Sequence, residues 1–472
     1  MRGIREKRFS QKLVSEVSAF LSSIDDDEHL IGYDIAVNQA HVCMLKKQGL
    51  ISSPEYRKLN RALQTLNKSY KNKKIRLHES QEDVHMNIEY QVKKRVGQIA
   101  DSLHLARSRN DLIATDIRLY TRQKAIILLY DIIAVQRSLV QHGHRNRKRI
   151  VPGYTHLQQA QPVLWPFYLL SIFFKLQRDS DRLCDAYRRI NVSPLGACAF
   201  AGTAHMIDPE YTAGLLGFDH FADNCMDAVS DRDFLCEVTY ICAQIGLHLT
   251  SFAEDLITYT TKEFALITLD DAIATGSSIM PHKRNPDICE ILRARAGSMT
   301  GNLMALFSIL KGLPSAYNRD LQETKRLLFD CIDTTHECLG IIPILLSNLH
   351  LTPNNWTTIP SLYCASNVVD HMITQGHKFR KAYHTVASCV RQANGNIAAF
   401  MKLCAERFHL PVPAIESLLI PENAVKVKHS KNSTGPAEVE KALRRAQGII
   451  KKNKLRTIRL RQAQHKSNEK DY

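Results

Sequence analysis

Four polar stretches carry residue types that move protons or hold anions. The densest is Thr275-Gly-Ser-Ser-Ile-Met-Pro-His-Lys-Arg-Asn-Pro-Asp287. Ser277 and Ser278 supply hydroxyls, and Gly276 leaves the backbone free to present its N–H groups. Pro281 and Pro286 bracket His282, Lys283, Arg284 and Asn285, so the segment cannot be helical throughout. Asp287, Ile288, Ile291, Leu292 and Arg295 then read as a helix start with an acidic first turn, which contains Glu290. A loop that offers N–H groups and cations just before a helix N-terminus is built to hold an anion, most simply a carboxylate or a phosphate.

The second stretch is Pro152-Gly-Tyr-Thr-His-Leu-Gln-Gln-Ala-Gln-Pro162. His156, flanked by Thr155, Gln158 and Gln161, is an acid–base candidate; the competing reading is a satisfied core histidine. The third, His104-Leu-Ala-Arg-Ser-Arg-Asn-Asp111, places Arg107 and Arg109 beside Ser108 and Asn110, a set able to grip a carboxylate. The same residues also suit a helix N-cap with exposed arginines. The fourth runs from Lys311 through Tyr317 and Gln322 to Lys325. His85 and Glu89 are four apart and share a helix face, which reads as a surface contact. With no further ligand at matching spacing, neither a metal nor another cofactor is expected.

Long helices must position these stretches. Helical periodicity covers 11–48 with a break near Phe20–Asp27, then 54–68, a helix from about Ile113, Phe234–Thr260, Ile288–Leu310, 328–350 and 361–407. Val163–Leu176 is apolar nearly all round and belongs in the centre of a bundle. Pro152–Pro162 and Asn191–Asp208 read as connections. Gly297 and Gly301 are four apart on one helix and allow close helix–helix approach. Strand-like alternation is scarce, so the expected fold class is all-α.

Composition narrows the setting. The 472 residues suffice for two or three domains. The most apolar run, Val163–Phe174, is too short for a membrane span and contains Pro166. Met1–Ser10 is basic but lacks the apolar stretch of a secretory signal. Twelve cysteines without a Cys-x-x-Cys favour a reducing, cytoplasmic location. The formal charge is +16, and Arg444–Lys470 holds ten Lys/Arg against one Glu. A solvated, partly helical tail is the simpler reading of that segment. No nucleic-acid motif or interleaved aromatic residue accompanies it, so nucleic acid is not an expected partner.

Taken together, these motifs resemble the fumarase/aspartase superfamily, whose signature is matched by Gly276–Pro286. Within it the chain is similar to the argininosuccinate lyase branch, through Arg107-Ser-Arg-Asn-Asp111, Gly153-Tyr-Thr-His-Leu-Gln158, Glu82-Asp-Val-His85, Asn224–Phe234 and Lys311–Glu323. The similarity runs from about Phe20 to about residue 345. It implies a three-domain protomer: a helical domain over 1–108, a long central bundle over 109–357, and a C-terminal helical domain with the basic tail over 358–472. It also implies a homotetramer whose active sites take loops from several subunits, and a small-molecule substrate, an N-substituted succinate.

The implied reaction is a β-elimination that releases fumarate. By matched position, Ser277 and His156 form the acid–base couple. Ser277 acts on carbon, and His156, oriented by Glu290, acts toward the leaving nitrogen. Lys283 stabilises the charge that develops. Ser23, Arg109, Asn110, Thr155, Ser278, Asn285, Tyr317, Gln322 and Lys325 contact the substrate, with Arg109 on a carboxylate. Adenylosuccinate, or a catalytically silent structural role, are the alternatives. The chain departs from the branch at Glu6–Phe9, Leu21, Leu105, Ala106, Leu112, His282, Arg284 and Asn367. Leu21, Leu105 and Leu112 are expected to remove polar groups from the mouth of the site.

Overall fold

The computed structural model describes residues 11, 13–78, 81–353 and 356–465. The Glu6–Phe9 motif and the last residues of the basic segment, through Tyr472, lie outside them. The fold is all-α. Short helices α1 (Ser15–Leu21) and α2 (Ile24–Asp27) lead into α3 (Ile31–Lys47), α4 (Ser53–Lys71) and α5 (Val84–Val96). Helix α4 is opened by a capping box between Ser52 and Glu55, with Pro54 in its first turn. The longest helix, α6 (Arg109–Arg145), starts on a second capping box between Ser108 and Asp111.

The stretch expected as a connection after α6 is instead an antiparallel hairpin, β1 (Ile150–Thr155) and β2 (Gln158–Leu164). Next come α7 (Trp165–Ile190), β3 (Val192–Ser193), α8 (Pro209–Leu215), β4 (His220–Phe221), α9 (Cys225–Ser230) and α10 (Asp233–Thr260). Strand β5 (Ile267–Leu269) precedes a two-rung hairpin of β6 (Thr275–Gly276) and β7 (Arg284–Asn285). Helices α11 (Asp287–Leu310) and α12 (Thr324–Ser347) follow, then β8 (Leu349–Leu351), which pairs with β5.

Side-chain contacts give the helix directions. Gln136–Gln177 and Arg118–Arg189 contacts make α7 antiparallel to α6. Tyr168–Asp255 and Asp179–His248 make α10 antiparallel to α7, and Arg293–Glu254 reverses α11 against α10. Lys124–Asp333 and His142–Leu346 keep α12 parallel to α6. The five long helices therefore alternate in direction. One end of the bundle carries β1–β2, residues 261–286 and β8. The other carries the starts of α6, α10 and α12, packed against α2, α3 and α5. Leu129, Ile132, Phe173, Leu176, Leu249, Phe252, Leu339 and Ile342 are buried between the long helices, and the core continues into α3, α4 and α5.

Helices α13 (Ala365–Thr374), α14 (Phe379–Ala393), α15 (Ile397–Phe408), α16 (Val412–Leu419) and α17 (Pro421–Lys426) enclose a smaller core around Val368, Phe400 and Ile415. The basic segment departs from the solvated tail expected of it. Up to His465 it is part of α18 (Pro436–His465), which returns to the bundle parallel to α7. Leu443 and Ala446 are buried, Asn453 donates to Gln177 at 2.8 Å, and Arg456 pairs with Asp181 at 3.1 Å. The cations point outward from a helix whose inner face is packed.

Candidate active site

Residues singled out in the sequence fall into three groups, each placed by its own element. The first lies where the N-terminal helices meet the starts of α6 and α12. Ser23 is buried and donates to Asp27 at 2.8 Å. Lys325, 2% exposed, forms an ion pair with the other oxygen of Asp27, itself 1% exposed. Arg109, the first residue of α6, donates to Asp83 at 2.9 Å, and Asp83 caps α5 by accepting from the Met86 N–H at 2.8 Å. Arg319 donates to Glu82 at 2.5 Å and to the Leu21 carbonyl at 2.5 Å, and Gln322 reaches the same carbonyl at 3.3 Å. Asn110 donates to the Ala199 carbonyl at 2.9 Å. Tyr317 packs against Ala197, Ala228 and Val229.

This group is highly charged, and its charges are mutually compensated. Burial pushes the Asp83 carboxyl up, but His85 and Arg109 outweigh it and hold Asp83 below the usual carboxylate range. Burial also raises Asp111, to about 6, against the pull of Arg107 and of N–H groups from Gly196, Ser108 and Cys198. The sequence gives no site role to Asp27, Glu82, Asp83 or Arg319, although the last three stand in motifs that carry the family resemblance. Asp27 sits in an acidic run that resembles simple capping, so only its burial reveals its role.

The second group is the loop closed by β6 and β7, where Thr275 pairs with Asn285 and Gly276 with Arg284. Arg284 is taken up structurally, by the Leu269 carbonyl at 2.5 Å and Asp271 at 2.8 Å. The Ser277 hydroxyl oxygen accepts from the N–H groups of Ile279 at 3.3 Å and Met280 at 3.1 Å. The Lys283 N–H closes the turn on the Met280 carbonyl at 3.0 Å. Lys283, Ser278 and Glu290 are exposed, and Ile279 is 86% exposed. The loop thus holds one hydroxyl on two backbone donors and turns its cation outward.

The third group is the tip of the β1–β2 hairpin. Thr155 pairs with Gln158, and the two residues between them, His156 and Leu157, both have positive φ, 54° and 57°. That is the backbone of a tight primed turn, ordinarily made by Asn-Gly or Gly. A non-glycine pair in this region is strained, and such strain concentrates at functional positions. His156 is exposed, which sets aside the core-histidine reading. No ion pair joins His156 to Glu290 among the described residues.

One chain cannot unite the groups. Arg109 opens α6 and the His156 hairpin follows its other end, so a 37-residue helix separates them, about 55 Å at 1.5 Å per residue. The Ser277 loop lies at the His156 end, while Ser23, Tyr317, Gln322 and Lys325 lie at the Arg109 end. One end carries His156, Ser277 and an exposed lysine, and the other carries buried or half-buried cations paired with carboxylates.

His85 also departs from expectation. It is buried, not a surface residue, and its Nδ1 meets Asp34 of α3, with Asp116 of α6 at 3.7 Å. Glu89 pairs instead with His104 at 3.0 Å. Asp34, His85 and Asp116 are the group with metal-ligand spacing among the described residues. Its Asp34 oxygens are already engaged, by Asn38 at 2.7 Å and by His85.

Leu105 and Leu112 do not sit at a mouth. Leu112 is buried among Val37, Ala40, Leu119 and Leu195, and Leu105 packs on the main core. Leu21 serves through its carbonyl. Ala106 has φ 56°, a conformation that costs an L-residue about 1–2 kcal/mol. Just before it, the Leu105 carbonyl bonds to His41 Nε2 at 2.8 Å. Burial, aided by Arg107, lowers the His41 pKa from the ordinary 6.5 to about 3. Its folded value lies below its unfolded one, so its contribution is full above pH 6.5 and is lost as pH falls toward 3. The urea midpoint is expected to fall from pH 6.5 downward, with His41 alone contributing at most about 1.4 kcal/mol per pH unit. His41→Gln should flatten that slope by one proton. An unchanged slope contradicts the assignment.

Comparison with known proteins identifies relatives across the chain. A sequence profile described as Lyase matches residues 8–301. The argininosuccinate lyase of Bacillus anthracis is 38% identical over 450 residues, covering 94% of this chain and 97% of that protein. The argininosuccinate lyase of Bacillus mycoides is 38% identical over 448 residues with the same coverage. Among solved structures, EDDS lyase in complex with formate superposes with a TM-score of 0.81 at 24% identity, over 94% of this chain and 91% of that one. A class II fumarase from Schistosoma mansoni gives a TM-score of 0.73 at 17% identity, over 85% and 91%. No described helix is long and apolar enough to cross a membrane.

Proposed function

The chain belongs to the argininosuccinate lyase family, within the fumarase/aspartase superfamily, and from that premise we propose that it cleaves argininosuccinate to arginine and fumarate. The reaction is a β-elimination. A base removes the proton from the carbon next to a carboxylate, the carboxylate takes up the electron pair, and the C–N bond then breaks as an acid protonates the leaving nitrogen. The observation that carries this reading is the near full-length match to enzymes of that name, joined to a loop suited to the step.

Ser277 is the group on carbon. Two backbone N–H groups already point at its oxygen, and Lys283 adds positive charge to the same loop, so an alkoxide and the doubly charged carboxylate are both stabilised. Ser278 and Asn285 line the loop and, with the start of α11, face the carboxylate. His156 delivers the proton to nitrogen, with Glu290 as its orienting carboxylate and Thr155 beside it. Ser23, Arg109, Asn110, Tyr317, Gln322 and Lys325 bind the rest of the substrate, Arg109 on a carboxylate.

Since these residues lie at opposite ends of one bundle, the site is completed between copies of the chain in a homotetramer. The surface supports this. Tyr240 and Leu247 of α10, Ile291, Met304 and Phe307 of α11, and Ile344 of α12 are exposed apolar residues on the long helices. A Cβ placed on Gly297 or Gly301 of α11 meets nothing within 4 Å, so the close approach these glycines permit is to another chain. The location is the cytoplasm.

Fumarate release from argininosuccinate, followed by its ultraviolet absorbance with adenylosuccinate in parallel, tests the reaction. Release from argininosuccinate alone is the expected result. Release from adenylosuccinate alone, or from neither, rejects it.

A further inference from the structure

The start of α5 holds two side chains that orient arginines of the first group, and the residues immediately after them are fixed by contacts from other helices. Asp83 grips Arg109 and Glu82 grips Arg319. The next residue, Val84, gives its N–H to Asp27 at 3.3 Å. His85, one residue further, is buried against Asp34 of α3 and Asp116 of α6.

The two carboxyls differ in their partners. Asp34 accepts from Asn38 at 2.7 Å and from His85, and Asn38 is itself held by Arg107 at 2.8 Å. Neither oxygen of Asp116 receives a hydrogen bond from an N–H donor, although the residue is fully buried. A buried carboxylate with no donor is far costlier than a neutral acid, and two carboxyls side by side do not both ionise. These conditions favour the protonated form at Asp116, with Asp34 as the neighbouring carboxylate to which its O–H can donate.

We infer that Asp34, His85 and Asp116 form a one-proton lock that positions the start of α5, and through Asp83 the substrate-binding guanidinium of Arg109. The ionisable groups around His85 are Asp34, Asp116, Asp83 and Asp27, with Arg107 facing Asp116. Burial opposes a charged His85, but Asp34, then Asp83 and Asp27, outweigh it and raise its pKa. The trio touches no substrate, so these are positioning residues. The inference rests on the reaction proposed above for its catalytic consequence.

The lock predicts an asymmetry between two isosteric substitutions in the full-length protein. Asp116→Asn replaces an acid O–H donor by an amide N–H donor, so KM and kcat are expected within about twofold of wild type. Asp34→Asn removes the anion from His85. It is expected to lower Tm and to raise KM by about tenfold or more, the size of one weakened charge-assisted contact, with kcat much less affected. A merely structural role lowers Tm and the folded fraction but leaves KM of the folded enzyme unchanged, which overturns the inference. Equal effects of Asp34→Asn and Asp116→Asn on KM also overturn it. So does a rise in wild-type Tm with stoichiometric Zn2+ or Mn2+ that Asp116→Asn abolishes, since the trio would then be a metal site. If the wild type releases no fumarate, the reaction fails as a reading, and equal Tm values for Asp34→Asn and Asp116→Asn still overturn the lock.

Discussion

Replacing Ser277 with alanine is expected to reduce fumarate release by roughly 10³-fold or more while leaving Tm and helix content unchanged, an effect of the size seen when a positioned proton-transfer group and its charge stabilisation are lost together. The structural side of that expectation is direct. Ser277 lies in a loop at the end of the bundle, outside the core, and its two hydrogen bonds come from neighbours in the same turn. Those N–H groups lose an acceptor to which solvent has access. Catalysis has no such substitute, because Lys283 and the loop amides stabilise negative charge only where a reacting group places it. Loss of activity together with loss of fold would move Ser277 from catalysis to structure. Retained activity would move the base elsewhere.

The second large effect comes from a surface position. Gly301→Glu should abolish activity, although local chemistry predicts a gain. Glycine inside a helix is worse than an ordinary residue by about 0.5–1 kcal/mol, so the substitution favours α11 in an isolated chain. The new Cβ meets nothing within 4 Å. Against another helix at close range, the same carboxylate is a clash and a buried unpaired charge. Light scattering should show a smaller species with intact helix content. A tetramer with full activity would place the association face elsewhere.

The long helices were legible from the sequence because their apolar faces recur at helical spacing. Helices α4, α10 and α11 fall where that periodicity places them, whereas α7 runs on to Ile190, well past the apolar stretch that marked it. The β1–β2 hairpin was hidden by Pro152, Gly153 and Pro162, which ordinarily argue against strands, and by a turn built on His156 and Leu157 without a glycine. The packing of α18 was hidden because part of its inner face is polar. Asn453 and Thr457 are buried through hydrogen bonds to other residues, and hydropathy cannot register that.

The candidate site was legible one loop at a time, each loop carrying its own dense polar pattern. Its supports were not. Asp27, Asp83 and Asp116 acquire meaning from partners dozens of residues away, and a lone His85–Glu89 spacing pointed to the wrong partner. The leucines at 105 and 112 were misread for the same reason. Their polar counterparts in the family suggested a binding surface, while the fold places both side chains on the core.

On the proposed reading, Ser277 of one chain and Arg109 of another act on the same substrate. Co-expression of Ser277→Ala with Arg109→Met, followed by assay of the purified mixed tetramers, tests it most directly. Each variant alone is expected to be nearly inactive. In the mixture some sites draw an intact Ser277 from one chain and an intact Arg109 from another, so fumarate release should rise well above the sum of the two parents. Mixed tetramers with no more activity than that sum would show that each chain builds its own site, which the account forbids.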